Sequence, residues 1–171
     1  MPNTTAPAPN SLQHWRDYLM SVPFTHSLHL NPLLPMLNER TAYRLGEEIT
    51  NRFFRNLVGR KGMLTPRNQP TIVLACEFDE ASGFHHFHGA ARIEANRNRK
   101  SLERYGEQWF IEACWDFREK NFRDDLPKHL TSPKMPTAVI RRIAQEDIKS
   151  VILYALKDWH WNEKESGICL R

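Results

Sequence analysis

His86-Phe87-His88 is the part of this chain whose residue types and spacing most directly suggest chemistry. It sits in residues 83–93, which follow an apolar run at 71–78 across the short polar break Asp79-Glu80-Ala81-Ser82. Two such runs joined by a tight polar loop predict a β-hairpin. Side chains alternate faces along a strand, so His86 and His88 point one way and Phe87 points into the core. By the same parity Glu77 and Asp79 share one face of the preceding strand and its end, while Ile72, Leu74, Cys76 and Phe78 share the other. Where the two polar faces coincide, two imidazoles and a carboxylate converge. Such a set makes a divalent-metal site with open coordination positions.

A second signal lies downstream, in residues 147–158, whose apolar spacing is helical. At 100° per residue Ile148, Ile152, Ala155 and Trp159 form an apolar stripe. Tyr154, Lys157, Ser150 and Asp147 fall roughly opposite it. A tyrosine with a lysine three residues on, both off the buried face, is a poor choice for a core. It suits a nucleophile with a phosphate-binding cation beside it.

Taken in order, His86-Phe87-His88 and Tyr154-Ala155-Leu156-Lys157 make the chain resemble the HUH endonucleases, specifically the single-tyrosine replication initiators of rolling-circle plasmids and viruses. The resemblance spans roughly residues 22 to 160, with residues 24–30 (FTHSLHL) a loose match to the family's first strand. It implies a third metal ligand just before the histidine strand, with Asp79 the first choice and Glu77 the alternative. It implies an α+β fold of the HUH/RRM-like kind, an antiparallel sheet of about five strands with helices mainly on one face and the histidines on a central strand. It also implies Mg²⁺ or Mn²⁺ as cofactor and Tyr154 as the catalytic nucleophile. The product would be a 5′-phosphotyrosine with a free 3′-hydroxyl. Lys157 would neutralise the phosphate or orient the phenol. The implied partners are single-stranded DNA at an origin or hairpin and a host helicase. Two alternatives stay open: a transposase or relaxase-like strand transferase using the same residues, and a non-catalytic single-strand or RNA-binding module with structural histidines.

Bulk properties are compatible with this reading without demanding it. The 171 residues suit one domain, here expected over 11–171 behind a flexible tail at 1–10. A net charge of +4 and a pI near 9.1 permit a polyanionic partner. Cys76, Cys114 and Cys169 show no metal spacing and cannot all pair, which reads as a reducing setting, cytoplasmic or nuclear. No run approaches the ~20 apolar residues of a membrane helix. No glycine-rich phosphate loop occurs either, so an attached helicase is not expected.

The remaining elements must position the site. Ser11 starts a short helix, and a strand follows at about 24–30. His26 and His29, three apart, face opposite sides of it and so do not act together. Asn38 caps a long helix reaching about Val58, with Ala42, Leu45, Ile49, Phe53 and Leu57 as its buried stripe. Residues 59–70 form a basic loop. Residues 94–100 form another, adjoining the site, where Arg97, Arg99 and Lys100 are the candidate DNA contacts. A helix from Ser101 carries Leu102, Tyr105, Trp109, Phe110 and Ala113 toward the core. Residues 115–136 read as irregular, with room for a further strand or two, and 137–143 suits strand or helix.

Overall fold

The computed structural model describes residues 12–34, 38–62, 69–122, 136–155 and 168–170. Helix α1 (Leu12–Ser21) leads into β1 (His26–Asn31), followed by α2 (Glu39–Gly62) and the hairpin β2 (Thr71–Asp79) and β3 (Phe84–Arg92). Next come α3 (Asn96–Phe122), β4 (Thr137–Arg142), a 3₁₀ turn at Gln145–Asp147, α4 (Ile148–Ala155) and the short β5 (Ile168–Leu170). The sheet is antiparallel, with four strands in the order β4-β1-β3-β2 and the three residues of β5 along the outer side of β2. The architecture is therefore α+β, with β3 inside the sheet between β1 and β2. No described helix is long and apolar enough to cross a membrane.

Local chemistry explains the elements. Asn38 Oδ1 accepts the Thr41 amide at 2.8 Å, an N-cap for α2, and Ala42, Leu45, Ile49, Phe53 and Leu57 are all buried as expected. Gly59, at φ +63, kinks the helix in a backbone region that glycine enters without strain. The β2–β3 turn closes through the Gly83 amide on the Asp79 carbonyl at 2.8 Å, with Gly83 at φ +73.

The sheet carries helices on both faces, not mainly on one. Leu28, Leu30, Ile72, Leu74, Phe87 and Ala91 pack against α2 and α3 on the first face. On the second, Val73 and Ala90 pack against Leu19 of α1 and Ile152 of α4, with Val22 and Phe24 between. An eight-residue helix has no independent stability in water. Burial of Ile152, which contributes roughly 2–3 kcal/mol, is what fastens α4 to the sheet.

Helix α3 departs from the sequence reading at both ends. It starts at Asn96, so residues 96–100 are its first turn and not a loop, with Asn98 and Arg99 amides on the Ala95 carbonyl. It then runs through Trp115 to Phe122, because Ala113, Cys114 and Phe117 extend the buried seam of Leu102, Gly106 and Phe110. Tyr105 lies off that seam, 44% exposed and stacked on Trp109 at 6.3 Å, so it is a surface residue. Residues 137–142 resolve as a strand, β4. The tail at 1–10 and residues 123–135 lie outside the described residues.

Gly89, in the middle of β3, decides how closely β2 and β3 can approach. A Cβ there would meet the Val73 carbonyl oxygen at 2.0 Å and Leu74 Cδ2 at 2.7 Å. Backbone cannot yield as a flexible side chain does. Gly89→Ala is therefore expected to cost on the order of 3 kcal/mol, read as a lowered denaturant midpoint.

Candidate metal and nucleophile site

His86 and His88 stand on the second face of β3, and Phe87 between them is fully buried on the first. The hairpin register sets Glu77 directly across from His86. Its Oε2 lies 3.1 Å from His86 Nε2 and 3.1 Å from His88 Nε2. One ligand atom from each of these three residues lies within 4.8 Å of the others. His88 is buried, and Glu77 and His86 are partly so.

The acid in the cluster is thus Glu77, not Asp79. Asp79 pairs with Phe84 at the mouth of the turn, where its Oδ1 accepts the Ala81 amide at 3.1 Å. Hydrogen bonds from the Ser82 side chain and then the Ala81 amide hold this solvent-exposed carboxyl below its ordinary range. Asp79 is occupied in shaping the turn.

The donor set fits a hard-to-borderline divalent cation. Ligands at about 2.1 Å on adjacent vertices of an octahedron lie roughly 3 Å apart. The carboxylate-to-imidazole separations of 3.1 Å match that spacing. Three protein donors would leave the remaining coordination positions open.

Two further rings complete the cluster. His29 of β1 is paired with His88 across the strands, its ring 4.3 Å from that of His88 in an edge arrangement and 6.0 Å from that of His86. Although its surface is open, partial burial lowers the His29 pKa, the charge of His86 adds to this, and Glu77 opposes it. His26, three residues earlier, faces the other side as expected. Its Nε2 is 3.1 Å from Glu103 Oε1 on α3. The parity of His29 on β1 is readable in the sequence, but only the strand order, with β1 beside β3, brings it to His88.

Tyr154 is the second ring. Helix α4 packs on the second face, and Tyr154 meets His88 edge-on at 4.7 Å between centroids. Its side chain is 49% exposed. Lys157 and Trp159 lie outside the described residues.

Arg97, Arg99 and Lys100 are not brought to the cluster. They belong to α3, which packs on the Phe87 face and begins beyond the C-terminal end of β3, whereas His86 is near its start. Arg99 Nε donates instead to the Ile93 carbonyl at 2.5 Å. The segment lies past Arg92, beyond the C-terminal end of β3 and away from the end of the hairpin that carries Glu77, His86 and His88.

No family model, curated protein or solved structure matches this chain.

Proposed function

We propose that this chain is a metal-dependent endonuclease of the single-tyrosine HUH type, nicking and rejoining single-stranded DNA through a covalent 5′-phosphotyrosine at Tyr154. On this reading its sheet and helices are an HUH/RRM-like domain, and its biological setting is the initiation of rolling-circle replication at an origin or hairpin. The observation that carries the proposal is the contact of Tyr154 with His88, 4.7 Å between rings, beside the converging donors of Glu77, His86 and His88. A tyrosine held at the rim of a two-imidazole, one-carboxylate cluster matches the chemistry of phosphodiester transfer better than that of a binding module.

Glu77, His86 and His88 would hold a divalent ion, which when bound supplies Lewis-acid polarisation of the scissile phosphate. The protein's own part is orientation. Ile152 buries α4 against Val73 and Ala90, so the Tyr154 phenol is presented at the sheet surface where the phosphate would lie. The Tyr154 Oη–phosphorus bond forms as the phosphorus–O3′ bond breaks. The phenol loses its proton and the departing 3′-oxygen gains one, leaving a free 3′-hydroxyl. Because the phosphotyrosine keeps the ester linkage, the 3′-hydroxyl can reverse the step and rejoin the strand.

The test compares a single-stranded oligonucleotide with the same sequence fully paired, in Mn²⁺. A free strand can bend over the cluster, so it should be cut while the duplex stays largely intact. Binding should also weaken as salt rises, because phosphate contacts release counterions. Equal cleavage of the duplex would contradict the proposal.

A further inference from the structure

At the other end of the sheet from the β2–β3 turn lies an open cleft of about 320 Å³. Its lining includes the apolar side chains of Phe24, Ile143 and Ile148 and the arginines Arg92, Arg99 and Arg142. That volume is at the lower end of small-ligand sites, the size of a single nucleotide and not of a larger cofactor.

The arginines are not equivalent. Arg142 is paired with Glu103 through two of its nitrogens. Arg99 also lines the cleft, and its Nε donates to the Ile93 carbonyl, so its two terminal nitrogens are not needed for that bond. Arg92 reaches Glu94 at 3.2 Å through one terminal nitrogen. Its Nε is shielded from solvent and has no hydrogen-bond partner among the described residues. Three guanidinium groups against the carboxylates of Glu94 and Glu103 leave the cleft one positive charge in excess. A shielded guanidinium donor is costly unless something accepts from it. A phosphate oxygen is the acceptor that a guanidinium fork fits.

The cleft is tied to the Tyr154 site by two elements. Ile148 at the cleft and Tyr154 at the cluster are both on α4, roughly 9 Å apart along its axis at 1.5 Å per residue. His88 and Arg92 are both on β3, roughly 13 Å apart. These distances are a few nucleotides of single strand.

We propose that this cleft is a nucleotide subsite for the DNA single strand. The base rests on Phe24, Ile143 and Ile148, and the adjoining phosphate sits on Arg92 and Arg99. The proposal rests on the reading of the chain as a single-strand nuclease, and it assigns where the strand is held away from the reacting phosphate.

The test measures anisotropy of a fluorescein-labelled single-stranded oligonucleotide with the full chain in EDTA, so that no cleavage intervenes. Arg92→Gln and Arg99→Gln should each weaken binding roughly 10-fold and lower the salt slope by about one. Arg55→Gln removes the same charge from α2, on the opposite face, and should stay within about 2-fold of the parent. Should Arg99→Gln lower the melting temperature by loosening Ile93, Arg92→Gln carries the comparison. Parent-like affinity and salt slope in Arg92→Gln would overturn the subsite, as would an equal loss in Arg55→Gln. Displacement of the strand by inorganic phosphate to the level of the arginine variants would reduce it to a free-anion site and also overturn it. Affinity lost in the variants with no cleavage by the parent keeps the subsite and removes the nuclease reading. Cleavage by the parent with arginine-independent binding does the reverse.

Discussion

If Glu77, His86 and His88 hold Mn²⁺ as proposed, Glu77→Gln is expected to weaken its binding on the order of 100-fold or more and to lower strand cleavage with it, whereas Asp79→Asn is expected to bind the ion as the parent does. The substitution keeps volume and one carbonyl oxygen but removes the charge. One Glu77 carboxylate oxygen lies 3.1 Å from both imidazole Nε2 atoms. Loss of an outer partner to a metal ligand commonly costs 10–100-fold, and loss of a charged donor itself costs at least that. Asp79 serves the turn through the Ala81 amide, a bond that an asparagine oxygen can still accept. Titration calorimetry with Mn²⁺ on the two variants checks this. The opposite order of effects would restore Asp79 as the ligand.

Tyr154→Phe removes one oxygen from a half-exposed side chain and leaves the edge contact with His88 available to the remaining ring. Melting temperature and Mn²⁺ affinity should therefore stay close to the parent values. Cleavage of single-stranded DNA should drop by a factor of about 10³ or more, because a covalent route without its nucleophile has no substitute on α4. Of the other tyrosines, Tyr18 packs against the smaller core cluster, Tyr43 against the larger one, and Tyr105 is on the surface of α3 on the opposite face. Single-turnover cleavage rates measure the effect, and a rate within 10-fold of the parent would remove Tyr154 from the chemistry.

The parts of this site that could be read from the chain are those that depend on one element alone. His86, Phe87 and His88 alternate faces because any strand does, and Glu77 shares the parity of the histidines for the same reason. The choice between Glu77 and Asp79 depended on the hairpin register, and that register follows from a turn whose first residue is Asp79 itself. An acid at a turn entrance is taken up by amides of the turn, a competition that parity does not express. His29 required knowledge that β1, and not some other strand, lies beside β3.

Helix α4 shows the same limit. Its stripe identified Ile152 as the buried position, but an amphipathic stripe does not say which face of a sheet it will cover. Packing on the Val73 and Ala90 side brings Tyr154 to His88; packing on the Phe87 side would have separated them. In α3, the amides and charges of residues 96–100 have the composition of a loop. The buried seam through Leu102, Phe110 and Phe117 carries the helix past that composition.

The most direct test is to incubate the parent chain with a single-stranded oligonucleotide and Mn²⁺, digest it with trypsin, and locate the nucleotide-bearing peptide by mass spectrometry. A phosphodiester adduct on Tyr154, absent in EDTA, is the expected result. An adduct on Tyr18, Tyr43 or Tyr105, or Mn²⁺-dependent cleavage with no adduct at all, would contradict it, the latter pointing to a water nucleophile at the same cluster.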